Sequence, residues 1–300
     1  MEIKYCQKQE VVQAALADKM GGKNLSTTPG YSDLFGSAKI RRYSEEALLQ
    51  EMRRRKDVLP AQIIIEDIGG GDGFVLDGLI DMARSEGIAA CGILADIRED
   101  EVDRNMNQYV AKLPGDACQQ IIPDSGVHFV HARSVVQYFP SVEARRHFFA
   151  EVKRILESGG RFIDVAAYLE TKEKAVLLQA IHNCVNKPLL LPTREELIDW
   201  HKDEFAEVRM AELQIPIEEG LCTNDNSFFE RYEAGFARQG IDWAELRDKI
   251  YSLILSVDET LRPGVYAIKD LAGEIHFGWN VPYLVLICGE KGTLETEYSG

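Results

Sequence analysis

The sequence predicts an α/β fold built on a doubly wound, largely parallel sheet. Three observations predict it. Ile63-Ile64-Ile65 is a short continuous apolar run that ends in a glycine cluster, the signature of a strand buried on both faces. Short apolar strands then alternate with helical stretches from Gln62 to Ala166. A late apolar run, Tyr283-Leu284-Val285-Leu286-Ile287, returns after a long stretch of different rhythm.

Residues 1–43 are mixed, with breakers at Gly21-Gly22 and Thr27-Thr28-Pro29-Gly30, and are read as an N-terminal lid segment. Ser44-Glu45-Glu46 opens a helix to about Lys56, with Ser44 as cap and Ala47, Leu48 and Met52 as its apolar stripe. The strand from Gln62 is followed by a helix from about Gly73 to Glu86. A strand over Ala89–Ala95 and a short helix from Glu99 to about Asn107 come next. Tyr109–Leu113 and Val127–His131 read as the third and fourth strands, then a helix runs from Val142 to about Glu157. Gly159-Gly160 turns the chain into a fifth strand, Phe162–Ala166. Right-handed crossovers put the carboxyl ends of parallel strands on one edge, where ligands bind.

Beyond that the rhythm changes. Ala175–Val185 and Arg194–Glu204 look helical, and Glu207–Ile215 alternates like a strand. An amphipathic helix follows, with Trp243, Leu246, Ile250, Leu253, Ile254 and Val257 on one face. Residues 222–280 are too apolar for a linker and are read as a helical cap inserted over the sheet edge. The main domain is then 44–221 with 281–300.

The 300 residues are 45% apolar and 28% charged, an ordinary globular composition that excludes wholesale disorder. The 34 basic and 49 acidic residues leave a net charge of −15, which repels phosphate backbones and argues against nucleic acid as a partner. The run Arg53-Arg54-Arg55-Lys56 reads as a solvated helix face. No apolar run approaches the roughly 18 residues of a membrane helix, and the start of the chain does not read as a secretory signal. Six scattered cysteines with no Cys-x-x-Cys pair point to reduced thiols, a cytoplasmic protein and no structural metal.

Chemistry concentrates in Asp67-Ile68-Gly69-Gly70-Gly71-Asp72-Gly73, between an apolar strand and a helix. Glycines are needed where backbone turns sharply and lies close to a ligand, and a helix amino terminus adds oriented N–H groups. A dinucleotide loop wants a third glycine where Phe74 stands, and no Gly-Lys-Ser/Thr follows as a phosphate loop requires. The spacing is instead acid-x-Gly-x-Gly-x-Gly, through Asp67, Gly69, Gly71 and Gly73.

This spacing resembles motif I of the class I S-adenosylmethionine-dependent methyltransferases. Asp96 after the second strand resembles their ribose-binding acid, and Gly115-Asp116-Ala117 their Gly-Asp-Ala, where the acid meets the adenine amino group. The segment from Val130 to Pro140 resembles the run from strand four toward the substrate. Leu156-Glu157-Ser158-Gly159-Gly160 resembles Leu-x-Pro-Gly-Gly, with Ser158 at the usual proline. An aspartate common near Val127 is missing. The resemblance implies a Rossmann-like sheet of seven strands with an antiparallel last strand. It implies S-adenosylmethionine as cofactor and methyl transfer to oxygen, nitrogen or carbon of a small molecule, such as a secondary metabolite. His131 and Tyr138 are the candidate catalytic residues, and Arg133 can hold a carboxylate of substrate or cofactor. Tyr43 can close over the cofactor, and His276 and Trp279 lie where a cap would meet substrate. A nicotinamide-dependent oxidoreductase and a non-catalytic S-adenosylmethionine-binding protein stand as alternatives. A homodimer is left open.

Overall fold

The computed structural model describes residues 38–139, 141–184, 191–211, 222–224, 242–261, 265–269, 271, 273 and 275–290. The predicted lid therefore lies outside the described residues, apart from 38–43. Helix α1 (Ala38–Arg54) precedes β1 (Gln62–Ile68), α2 (Phe74–Ser85), β2 (Ala89–Asp96), the single turn α3 (Glu99–Val102) and β3 (Val110–Pro114). Then come β4 (Val127–Arg133), a 3₁₀ turn (Val136–Tyr138), α4 (Val142–Ile155), β5 (Leu156–Ala167), α5 (Lys172–Cys184), α6 (Arg194–Lys202) and β6 (Glu207–Met210). The last part holds β7 (Cys222–Asn224), α7 (Trp243–Ser256), β8 (Val265–Lys269), β9 (Ile275–Val281) and β10 (Tyr283–Gly289).

Seven strands form one sheet of order β3-β2-β1-β4-β5-β10-β6. The first five are parallel, and β10 runs antiparallel between β5 and β6, as expected for the late apolar run. Side chains of α1, α2, α5 and α7 pack one face; α4 and α6 pack the other. Covering both faces is why β1, β2 and β10 are nearly continuous apolar runs. Local chemistry agrees with the helix starts. Ser141 Oγ accepts from Ala144 N at 3.1 Å, and Thr193 and Glu196 form a reciprocal capping box at α6.

Several expectations need correction. Helix α1 begins at Ala38, so Ser44 lies inside it and caps nothing. Its first turns are helped by Arg41 Nε, which donates to Glu45 Oε1 at 2.6 Å one turn on. The boundary placed at residue 43 thus falls within a helix. Gly159 and Gly160 are not a turn before β5 but part of it. Gly159 sits at φ +78°, and the register against β4 shifts between Val127 and Phe129, as at a β-bulge. Arg55 departs from the solvated run. It is buried, with its guanidinium 5.8 Å from the Phe129 ring centroid, and burial lowers its pKa.

The inserted region is mixed rather than helical. Strands β7, β9 and β8 form a small antiparallel sheet beside α7. Val265-Tyr266-Ala267-Ile268-Lys269 carries the β-branched and aromatic residues that favour strands, a local signal outweighed in the sequence by the adjoining helical stripe. The stripe itself is packing: Leu246, Ile250 and Ile254 of α7 join Leu177, Leu178 and Ile181 of α5 in the main core.

Candidate functional site

The site grows from the turn after β1. Gly69, Gly71 and Gly73 take φ of +66°, +58° and +82°, the left-handed region that glycine enters without a Cβ penalty. Gly69 N and Gly70 N both donate to Ala95 O, at 2.7 and 3.3 Å, which pins the loop to the end of β2. Space is as restrictive as backbone conformation. A Cβ on Gly69 would lie 2.6 Å from Val135 Cγ2, and one on Gly70 would lie 2.5 Å from Asp67 Oδ2. On the far side Asn105 Nδ2 donates to Asp72 O at 3.0 Å, and Asn107 Nδ2 to Asp77 Oδ1 at 2.8 Å.

A cavity of about 390 Å³ opens over this loop, at the carboxyl ends of the parallel strands. One wall carries Asp96, Ile97 and Arg98 from the end of β2. Asp116 and Ala117 follow β3, and Arg133, Ser134 and Val135 follow β4, with Tyr138 and Phe139 beyond. Asp96 Oδ2 accepts from Gly71 N at 3.0 Å, and its Oδ1 accepts from Arg98 N at 2.9 Å. Arg98 Nε also reaches Asp96 Oδ1 at 3.4 Å, so of about four lone-pair positions on the carboxylate one stays open to a ligand hydroxyl. Ile97 beside it is 64% exposed, an apolar surface at the mouth. Ser134 is a non-glycine residue at φ +54°, held by its N–H to Val165 O at 2.9 Å and by Oγ donating to Tyr283 Oη at 3.2 Å. Such strain persists where surroundings over-determine it and clusters at functional sites.

Cys118 lies two residues beyond Asp116, whose Oδ1 accepts from Cys118 N at 2.9 Å. Burial first, then the Asp116 carboxylate, push its thiol up to about 11. The thiolate is the reactive form. At pH 8 Cys118 is therefore expected to alkylate with iodoacetamide roughly a hundredfold slower than an ordinary cysteine of pKa about 8.5. Peptide mapping against time measures this; a peptide-like rate would remove the assignment.

The structure brings most predicted cofactor residues together. Gly69, Gly71, Asp96, Asp116, Ala117 and Arg133 line the cavity, and Gly73 caps α2 behind it. Tyr138, 46% exposed, is the predicted catalytic residue on the wall. His131 is not on it. It is 1% exposed, with Nδ1 2.7 Å from Asp67 Oδ1 and Nε2 2.9 Å from Ser44 Oγ. With both ring nitrogens engaged inside the protein, it does not face the cavity where an acceptor would sit. Tyr43 is likewise fully buried, on the core face of α1, and does not line the cavity. His276 and Trp279 fall in β9, with side chains outside the described residues. Arg98 and Ser134 also line the cavity, and Asn105 braces its loop. Arg98 was visible as the cation two residues after the β2 acid; nothing in the sequence marks the conformation of Ser134.

These residues fit the cofactor that the resemblance implies. Asp67 Oδ2 is buried without a hydrogen-bond partner beneath the loop, and any Cβ on Gly69 or Gly70 would press into Val135, Asp67 or Leu94 and deform the cavity floor. Among the described residues no group of three or more His, Cys, Asp or Glu is placed to hold a metal, and no helix is long and apolar enough to cross a membrane.

No protein-family model matches the sequence, and no curated protein matches it. Solved structures do match in shape. The YcgJ protein of Bacillus subtilis superposes with a TM-score of 0.60 at 15% identity, over 82% of this chain and 99% of that one. A Bacillus halodurans protein provisionally assigned as a methyltransferase superposes with a TM-score of 0.58 at 16% identity, over 81% of this chain and 98% of its own. At such identities the likeness is one of fold. The seven-stranded sheet, with its antiparallel strand between the fifth and the edge, is the class I methyltransferase fold.

Proposed function

We propose that the chain is an S-adenosylmethionine-dependent methyltransferase acting on oxygen, nitrogen or carbon of a small molecule. The observation that carries this reading is Asp96. Its buried carboxylate closes β2 and accepts from Gly71 N on the floor of a cavity built from left-handed glycines. An acid so placed binds a ribose diol.

When bound, the cofactor supplies a methyl group activated by its sulfonium. The chain's part is to bind, orient and exclude water. Asp96 accepts from the ribose, Ile97 and Ala117 offer apolar surface to the base, and Asp116 accepts from its amino group. Arg133, Tyr138 and Phe139 form the wall toward the acceptor, where Arg133 can pair with a carboxylate. Orientation of this kind supplies about 7–11 kcal/mol of a barrier in favourable cases. The net charge of −15 supports a small acceptor over a nucleic acid.

Calorimetric titration with S-adenosylmethionine, S-adenosylhomocysteine and NAD tests the reading. The first two are expected to bind at micromolar strength, and Asp96→Ala to weaken both at least about tenfold, or about 1.4 kcal/mol. Binding of NAD alone would replace the reading by the oxidoreductase one. Tight binding without conversion of any acceptor would leave a protein that only senses or stores the cofactor.

A further inference from the structure

The loop between β3 and β4, residues 115–126, carries Asp116 and Ala117 on the cavity wall and contains neither helix nor strand. With no ladder to order it, its position must come from contacts with other elements. Its front is tied to β2, where Gly115 N donates to Asp96 O at 2.9 Å. A local turn follows: Cys118 N donates to Asp116 Oδ1 at 2.9 Å, and Gln119 N to Asp116 O at 3.0 Å. The Asp116 side chain is exposed on the cavity wall.

The rear of the loop is gripped by two residues from the C-terminal end of α4. Arg154 Nη1 donates to Ile122 O at 2.8 Å and to Asp124 Oδ1 at 2.6 Å. Its Nη2 donates to Gln120 O at 3.1 Å and to Glu151 Oε1 at 2.7 Å, and its Nε donates to Glu151 Oε2 at 2.8 Å. A guanidinium has five N–H donors in a fixed planar fork, and all five are used. Glu151 Oε1 also accepts from Gln120 N at 2.7 Å, and Arg154 O accepts from Ser125 N at 2.9 Å. The Arg154 hydrogen bonds hold the Glu151 carboxyl below the usual carboxylate range, so the pair stays ionised. A surface ion pair by itself adds little to stability. This one acts through the backbone groups it holds: Gln120, Ile122, Asp124 and Ser125 all hang on it.

We propose that Arg154 and Glu151 are positioning residues that set selectivity for the base of the ligand. By fixing Gln120 to Ser125, they fix where Asp116 stands in the cavity wall, and with it the contact that tells an amino group from a carbonyl oxygen on a purine. The proposal rests on the methyltransferase reading above, in which Asp116 accepts from the adenine amino group. It extends the site to two residues behind the loop that do not line the cavity. Lysine cannot stand in for Arg154, because an ammonium has three donors on one atom and cannot span the carbonyls of Gln120 and Ile122 together with Glu151.

The same helix provides a control. Lys153 Nζ lies 3.1 Å from both Glu204 O and Glu204 Oε2, so it reaches past the end of α6 instead of into the loop.

Two probes differ only at the base: S-adenosylhomocysteine and S-inosylhomocysteine, whose base carries a carbonyl oxygen where adenine carries its amino group. A site built to accept from an N–H rejects the analogue that lacks it. Calorimetry on the full chain is expected to give the unaltered protein a preference for the adenine probe of at least about tenfold. Arg154→Lys and Glu151→Ala are each expected to narrow that preference to less than about threefold, mainly by weakening the adenine probe. Lys153→Met is expected to leave it unchanged. Glu151→Ala keeps the test open if Arg154→Lys does not fold. Equal losses for both probes, or an unchanged preference in the variants, overturn the proposal and leave the methyltransferase reading standing, as does an unaltered protein that binds both probes alike. Failure of the unaltered protein to bind either probe overturns that reading and this proposal with it.

Discussion

Gly69→Ala is expected to destabilise the protein by about 2–5 kcal/mol and to abolish measurable binding of S-adenosylhomocysteine. Two costs combine. An L-residue in the left-handed region pays about 1–2 kcal/mol, and Gly69 sits at φ +66°. The new Cβ would also lie 2.6 Å from Val135 Cγ2, so either the valine or the loop must move. Crowding of this kind costs about 1–3 kcal/mol in a packed site. Because Gly69 and Val135 both line the cavity, relief comes at the expense of its shape. Gly87, just beyond α2, separates the two costs. It has φ +81°, but a methyl group there would meet nothing within 4 Å, so Gly87→Ala should cost only the backbone share, about 1–2 kcal/mol, and leave binding intact. Urea denaturation and calorimetry on the pair measure both effects. Equal stability losses with binding retained in both would show that Gly69 is merely a turn glycine.

The site was legible in the sequence where it is made of backbone and of residues in register with a motif. The loop glycines, Asp96 and Asp116 fall where spacing from an apolar strand puts them, because a strand–turn–helix leaves little freedom at its corner. The existence and parallel character of the first five strands were legible for the same reason. What was not legible depends on contacts between distant segments. Ser44 has the right residue type for a helix cap, yet Ala38 to Tyr43 continue the helix and its hydroxyl is bonded to His131, 87 residues away. His131 read as a base because a histidine at the end of strand four lies near a ligand edge; its side chain turns to the α1 face, which strand alternation alone could not assign without knowing the partner helix. Arg55 looked like its charged neighbours until burial against Phe129 set it apart. The small sheet in the inserted region was hidden behind the stronger periodicity of α7.

Glu66→Gln is the substitution expected to stabilise the protein. Adjacent residues of a strand point to opposite faces, so Asp67 turns to α1 while Glu66 turns to α4 and the segment before it. Glu66 is fully buried and neither carboxylate oxygen has a hydrogen-bond partner. Burial pushes its carboxyl well above the ordinary range; the Gln120 side chain opposes the shift, and the Asp67 and Glu151 charges add to it. An acid whose folded pKa is raised binds its proton more tightly folded than unfolded. Its contribution is fully present below the unfolded value of about 4.3 and is lost as pH rises through the folded value. Glutamine keeps the shape and never ionises. The two proteins should therefore be nearly equal in stability at pH 4, and the variant should gain as pH rises, by at most about 1.4 kcal/mol per unit. At pH 8 the variant is expected to be the more stable of the two, because glutamine has no charge to bury. Urea denaturation of both proteins at pH 5, 6.5 and 8 reads the difference directly, with other titrating groups cancelling between them. A constant gap across that range would mean that Glu66 is already ionised below it in the folded protein, and would refute the assignment. A gap that closes as pH rises would reverse the sign and refute the assignment. Cofactor affinity should survive the change, because Glu66 and Asp67 face opposite sides of β1 and the glycine loop packs on the side of Asp67.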